Sequence, residues 1–422
     1  MKATKNKAYQ SKHDNVDAKA YRRNRSIMEL VKSPVVILSV VVVVGLVLLV
    51  SARAASVRKS VRFSLSGSST DGGYTFTDSN IDVAKWLQPE AIPILNPAEG
   101  SWPQGSLGNF RILCWASHLN YDDPIMYPED KYPNGQGQGK AHLHLFFGNR
   151  STNYQTTPAN ITTKGEGSCQ GGPLNRSAYW IPALLDKNNK ARIPFTTVFY
   201  YKTQGVDKNT VQALPTGLRM ITGKPNAVSP QNNWRIKWIC LGGTNAGVTS
   251  DLIPKCDVGS KLKLQLLFPQ CGARNSDGTP VLDSTDHQSH MTYQDDYYHT
   301  CPATHPIVYP EISLNIIWNN TDTTTDGWYI SSDRMTMPDG TRMNVPGGTT
   351  THADWFMGWK PEIMQTFVNR CLHEGRNSNQ GNLCDGTRLK MISGPNGGEY
   401  TGPQIVDPPV APNGQVDMTA TF

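Results

Sequence analysis

Short apolar runs, most of them with polar side chains at alternate positions, recur through the middle of the chain. They are FRILCWA (110–116), HLHLFFG (142–148), TTVFYYK (196–202), WRIKWIC (234–240), KLKLQLLF (261–268) and ISLNIIW (312–318). Each has strand length and strand periodicity. KLKLQLLF is the plainest, with Leu262, Leu264 and Leu266 on one face and Lys261, Lys263 and Gln265 on the other. Gly, Pro, Asn and Asp fill the spaces between runs. Only PEIMQTFVNRCL (361–372) has helical spacing, with Ile363, Phe367 and Leu372 roughly on one side. The pattern predicts a mostly β fold of β-sandwich or jelly-roll type over residues 81–372. That span is long for one sandwich, so long loops carry much of it, and loops are where sites are normally built.

One run is of another kind. VVILSVVVVVGLVLLVSA (35–52) carries no charge over eighteen positions, enough to cross a hydrocarbon core of roughly 30 Å as a helix. Residues 1–34 hold nine Lys or Arg against three acids, so the tail is expected in the cytoplasm and the rest of the chain outside. Ala52-Arg53-Ala54 resembles a signal-cleavage site, but the long basic lead favours a retained single-pass anchor in the cell membrane. Residues 53–80, rich in Ser, Thr and Gly, read as a flexible linker, and 373–422 as a Pro/Gly-rich extension.

Charge follows the same division. Residues 63–422 contain 27 basic and 31 acidic side chains, so the exported part has no basic surplus with which to neutralise phosphates. Nucleic acid is thereby excluded as a partner. All eight cysteines lie beyond the apolar span, and none forms a Cys-x-x-Cys pair, which points to disulfides rather than metal thiolates. Short loops favour Cys240 with Cys256 and Cys371 with Cys384.

Histidine placement raises the chemical question. His142 and His144 alternate along a strand and therefore share a face. Asp286, His287 and His290 crowd into VLDSTDHQSHMTY, His305 lies in CPATHP, and His352 and Asp354 in THADWFMGW. Clusters drawn from distant loops are what a composite site needs. His142, His144, Asp286, His290 and His352 are the candidate ligands of a divalent transition metal, and His287, His305 and Asp354 the candidate acid-base residues. The competing reading is a polar network that only pins long loops together. Tyr179 and Trp180 in YWIP, Trp355 and Trp359 in DWFMGW, and the aromatics of DYYH (296–299) are candidate faces for sugar rings. No Gly-x-Ser-x-Gly elbow marks a serine hydrolase.

AHLHLFFGN, YWIPAL, GLRMITG, FPQC with DSTDHQSHMTY, CPATHPIVYPEI and THADWFMGW occur in this order. Together they resemble a family of secreted fungal and bacterial proteins, the domain of unknown function nineteen-ninety-six, over roughly residues 85–372. The residues matching its motifs are His142, His144, Tyr179, Trp180, Cys271, Asp286, His287, His290, Cys301, His305, His352, Asp354 and Trp359. Gly272 stands where that family often has Trp. The resemblance implies no activity. The expectation is therefore a membrane-anchored cell-surface protein that binds or processes cell-wall or extracellular polysaccharide through a His/Asp site. The alternative is a non-catalytic adhesion or envelope-structural protein, and whether the chain is an enzyme stays open.

Overall fold

A computed structural model of the chain describes residues 81–95, 107–320, 322–336, 340–391 and 403–410. The basic tail, the apolar run 35–52 and the linker 53–80 lie outside the described residues. Among the described residues no helix is long and apolar enough to cross a membrane.

The alternating runs become strands at or near the residues that carry the pattern. The strands of the two large sheets, in chain order, are β1 (Asn109–Leu113), β2 (Ala116–Asn120), β3 (His144–Gly148), β4 (Ala178–Pro182), β5 (Thr196–Lys202), β6 (Arg219–Gly223), β7 (Ile236–Leu241), β8 (Thr249–Ser250), β9 (Lys261–Leu267), β10 (Glu311–Asn319) and β11 (His352–Phe356). Six form an antiparallel sheet in the order β8-β7-β9-β10-β5-β1 and five form another in the order β2-β3-β4-β11-β6. The described chain is mostly β, in several antiparallel sheets.

The two large sheets differ in how their faces are used. In β9 the even-numbered leucines are buried while Lys261, Lys263 and Gln265 face outward, so its outer face meets water. In β3, β4 and β11 every residue is buried. Leu145, Phe147, Tyr179, Ile181, Ala353 and Trp355 belong to the main core together with Phe199, Leu264 and Ile316 of the six-stranded sheet. Tyr179 Oη bonds Tyr201 Oη across that core, and Trp359 Nε1 donates to the same Tyr201 oxygen at 2.8 Å. The opposite face of the five-stranded sheet carries a separate cluster of Phe146, Ala178, Trp180, Ile221 and Phe356, covered by Ile125 and Ile161 of the long segment 121–166. A sheet covered on both sides shields any polar group on its outer face from water.

Four disulfides brace the loops: Cys240–Cys256 and Cys371–Cys384, the two short pairings favoured by spacing, with Cys114–Cys169 and Cys271–Cys301. Helix α1 (Pro361–Phe367) starts on a proline, which suits a first helical position because that N–H has no helical partner, and continues as a π-helical turn to Leu372. Past Leu372 the chain stays in the same core. Leu383 and Leu389 are buried, Thr387–Leu389 pairs with Leu87–Pro89, and Ile405–Val406 pairs with Ala191–Arg192.

Candidate functional site

Strand register brings three histidines together. His144 on β3 faces Pro182 on β4, Trp180 of β4 faces Asp354 of β11, and His352 of β11 faces Gly223 of β6. By alternation His144, Trp180, His352 and Asp354 all point to the outer, loop-covered face. His142, just before β3, stays beside its neighbour: its ring centroid is 4.2 Å from that of His144 and 5.1 Å from that of His352. One nitrogen from each of the three rings lies within 4.8 Å of the other two.

Hydrogen bonds fix how two of these rings are protonated. His144 Nδ1 donates to the carbonyl of Asp122 at 3.0 Å, and His352 Nδ1 to the carbonyl of Thr350 at 2.8 Å. A carbonyl only accepts, so in each neutral ring Nδ1 holds the proton and Nε2 keeps a lone pair. The Nε2 atoms of His142 and His144 are buried with no hydrogen-bond partner, as are both carboxyl oxygens of Asp354. His352 Nε2 lies 3.9 Å from Asp354 Oδ2, too far for a hydrogen bond. Buried polar groups are nearly always paired, so four orphaned atoms in one place require an explanation.

Electrostatics match this geometry. Burial, with some contribution from the neighbouring imidazoles, holds His142 well below the usual histidine range. Burial likewise lowers His144 and His352 to about 4, despite the carbonyl bonds that favour their charged forms. All three are neutral at pH 7, the form that ligates metals. Burial raises Asp354 well above the ordinary carboxyl value, and the nearby Asp123 adds to that.

The support around the cluster was not legible as such in the sequence. Asp123 is buried, accepts from the amides of Ile125 and Met126, and is raised by burial although His352 and His287 favour its charged form. Asp333 is fully buried and accepts from the amides of Ile330, Gly348 and Thr350 and from the Thr350 hydroxyl. Burial pushes it up to about 6. It fixes the loop whose Thr350 carbonyl orients His352. Gly223 packs its backbone against Thr351 and His352 at φ +83°, so a side chain there would collide with the strand that carries His352. Of these groups only Gly223 stands in one of the quoted motifs, GLRMITG; Asp123 and Asp333 stand in none.

Other expected site residues are placed outside the cluster or bonded within their own loops. Asp286 accepts from the Ser284 and Ser289 hydroxyls and from the amides of Gln288 and Ser289, bonds that hold it far below the usual carboxylate range and leave it as the clamp of its own loop. His290 has both nitrogens engaged, with Ser284 Oγ at 2.9 Å and the Arg219 carbonyl at 2.8 Å. His305 bonds Thr304 Oγ1 and the Ser289 carbonyl. None of the three joins the imidazole cluster. His287, at φ +55°, bonds Asp283 through Nδ1 at 2.8 Å, and Arg219 holds the same carboxylate. Its carbonyl accepts from Ile221, the residue facing Asp354, which brings it alongside the cluster. Tyr179, Trp180, Trp355 and Trp359 are all fully buried. As sugar platforms they are corrected, because each ring is enclosed by core side chains.

A family model of a domain of unknown function matches residues 123–359, more than half of the chain. The chain belongs to this family, DUF1996. A search of curated proteins found no match, and neither did a search of solved structures. The DUF1996 match runs from Asp123 to Trp359, so it takes in the three clustered imidazoles, Asp123, Asp333 and Asp354. It leaves β1, β2 and α1 outside.

Proposed function

We propose that His142, His144 and His352 hold one divalent transition metal, with Asp354 as a base beside them. The observation that supports this is the set of orphaned atoms: two inward Nε2 nitrogens and an unpaired carboxyl, all shielded from water. Three imidazoles with a fourth position left for water or substrate are a donor set that suits zinc or a similar ion. The Asp122 and Thr350 carbonyls supply the outer bonds that orient ligating imidazoles. A metal so held would polarise a bound oxygen and lower the pKa of bound water.

The wider reading is of a two-sheet sandwich anchored by residues 35–52 that presents this site outside the cell to polysaccharide. The chain's own residues would then divide the work. The segment 121–166 excludes water, Asp333 and Thr350 orient His352, and His287, oriented by Asp283, stands ready to move a proton. A second reading draws on the burial of the cluster. A metal sealed from water with no open position would be structural, as an adhesion or envelope protein would use it.

The test is elemental analysis of the full chain after dialysis without chelator, repeated on His142→Ala/His144→Ala. About one equivalent of metal in the parent, lost from a variant that still folds, is the expected result. A parent that carries no metal and takes up none on titration with zinc, copper or manganese would sink the proposal.

A further inference from the structure

We infer that Trp234, Tyr297 and Tyr298 form a binding platform for β-linked polysaccharide beside the histidine cluster, an inference that rests on the polysaccharide reading above. Among the described residues these are the three aromatic side chains that stand out into solvent, at 51%, 81% and 71% exposure. They sit in one place. Trp234 Nε1 donates to Asp296 Oδ2 at 3.3 Å, and the two tyrosines follow Asp296 in the chain. Asp295 Oδ1 accepts from both tyrosine amides, which fixes the loop, and the two rings meet edge to face at 4.9 Å. Arg235 lies 4.4 Å from the Trp234 ring centroid and 4.3 Å from that of Tyr293, so it backs the indole on one side. An indole held from behind and bare in front is a prepared surface.

A cleft of about 410 Å³ opens next to this rim, and Gln231, Asn233, Thr292 and Tyr293 line part of it. Ile221 and Gly223 also border the cleft, and these residues face Asp354 and His352 across the β6–β11 ladder. The platform therefore leads toward the imidazole cluster. It carries no positive surplus: Arg235 is paired with Asp296, Lys224 and Asp286 both line the cleft, and Asp295 is a further acid. A neutral polymer suits such a surface better than an anionic membrane or nucleic acid does. β-Linked pyranoses with equatorial hydroxyls present flat C–H faces that stack on aromatic rings, while their edges hydrogen-bond amide side chains such as Gln231 and Asn233.

The experiment is co-sedimentation of the full chain with particulate cellulose, chitin and β-1,3-glucan, with metal content measured on the same samples. The parent is expected to bind at least one of the three. Trp234→Ala, and separately Tyr297→Ala/Tyr298→Ala, should weaken binding about tenfold with melting temperature and metal content unchanged. His142→Ala/His144→Ala should lose the metal and keep the binding. Failure of the parent to bind any of the three, or aromatic variants that bind as the parent does, overturns the platform. Absence of metal with binding intact overturns only the metal reading.

Discussion

Two groups of histidines look alike along the chain and are opposites in space. His142, His144 and His352 sit on a sheet face sealed by a long loop, and inward nitrogens of His142 and His144 meet no hydrogen-bond partner. His290 and His305 lie in the 283–305 segment with both nitrogens of each ring bonded to a carbonyl or a hydroxyl. The second group is the polar network that pins loops. The first has the same residue type and fewer bonds at its buried nitrogens, an arrangement that costs stability unless something else fills the gap. Completeness of hydrogen bonding, rather than the density of histidines, separates a candidate site from a fastening.

Metal affinity is where this contrast should show its largest effect. Removing one of three imidazole ligands with His352→Ala is expected to weaken zinc binding by roughly 100-fold or more, since even outer-sphere partners are worth 10–100-fold. His290→Ala should leave the affinity within about twofold. Isothermal titration of both variants measures this directly. Equal losses would mean that the 283–290 loop contributes to the centre and that the two groups are one.

Acid sensitivity comes next. His144 and His352 are held at about 4 in the folded chain, against the ordinary 6.5 when unfolded. A histidine with a depressed folded pKa contributes stability that is fully present above about 6.5 and is lost as pH falls through its folded value. The metal-free chain should therefore lose on the order of a few kcal/mol between about pH 6.5 and 4 through this pair. Melting curves of the parent and of His144→Gln/His352→Gln across that window test it. If the two pH profiles run parallel, the pair is not buried as a neutral unit.

How much of this could be read beforehand depended on which faces meet water. KLKLQLLF was legible because its lysines face solvent while its leucines face the core. HLHLFFG also placed His142 and His144 side by side, since alternation alone does that. It could not single out His352 from Asp286 and His290 among the candidate ligands, because that requires the order β3-β4-β11, in which β11 is more than 160 residues further along the chain. Asp286 drew attention through its nearness to His290, yet spacing says nothing about the four bonds its Oδ1 accepts within its own loop. The aromatics of YWIP and DWFMGW looked like a platform because a strand buried on both faces has no polar side by which to recognise it. The exposed rings came from DYYH and from Trp234, the latter at the edge of an apolar run that reads as core.

The smallest effect concerns the two carboxylates that flank the contrast. Asp354 is buried with both oxygens unpaired, next to Trp180, Ile221 and Phe356 on the same face. Asp283 is only partly buried. Burial raises it, but its bonds to His287 and Arg219 outweigh this and keep it below the ordinary value. In the metal-free chain Asp354→Leu should stabilise the fold by about 1–2 kcal/mol, because it removes an uncompensated buried polar group. Since an acid with a raised folded pKa costs more as pH climbs above its unfolded value, the gain should be greater at pH 8 than at pH 4. Asp283→Asn should have the opposite sign and cost about 1–2 kcal/mol, because it breaks a satisfied pair. Urea unfolding of chelator-treated protein resolves both. If Asp354→Leu destabilises like Asp283→Asn, the carboxyl has a structural partner, and the case for a metal at the three imidazoles would then rest on the imidazoles alone.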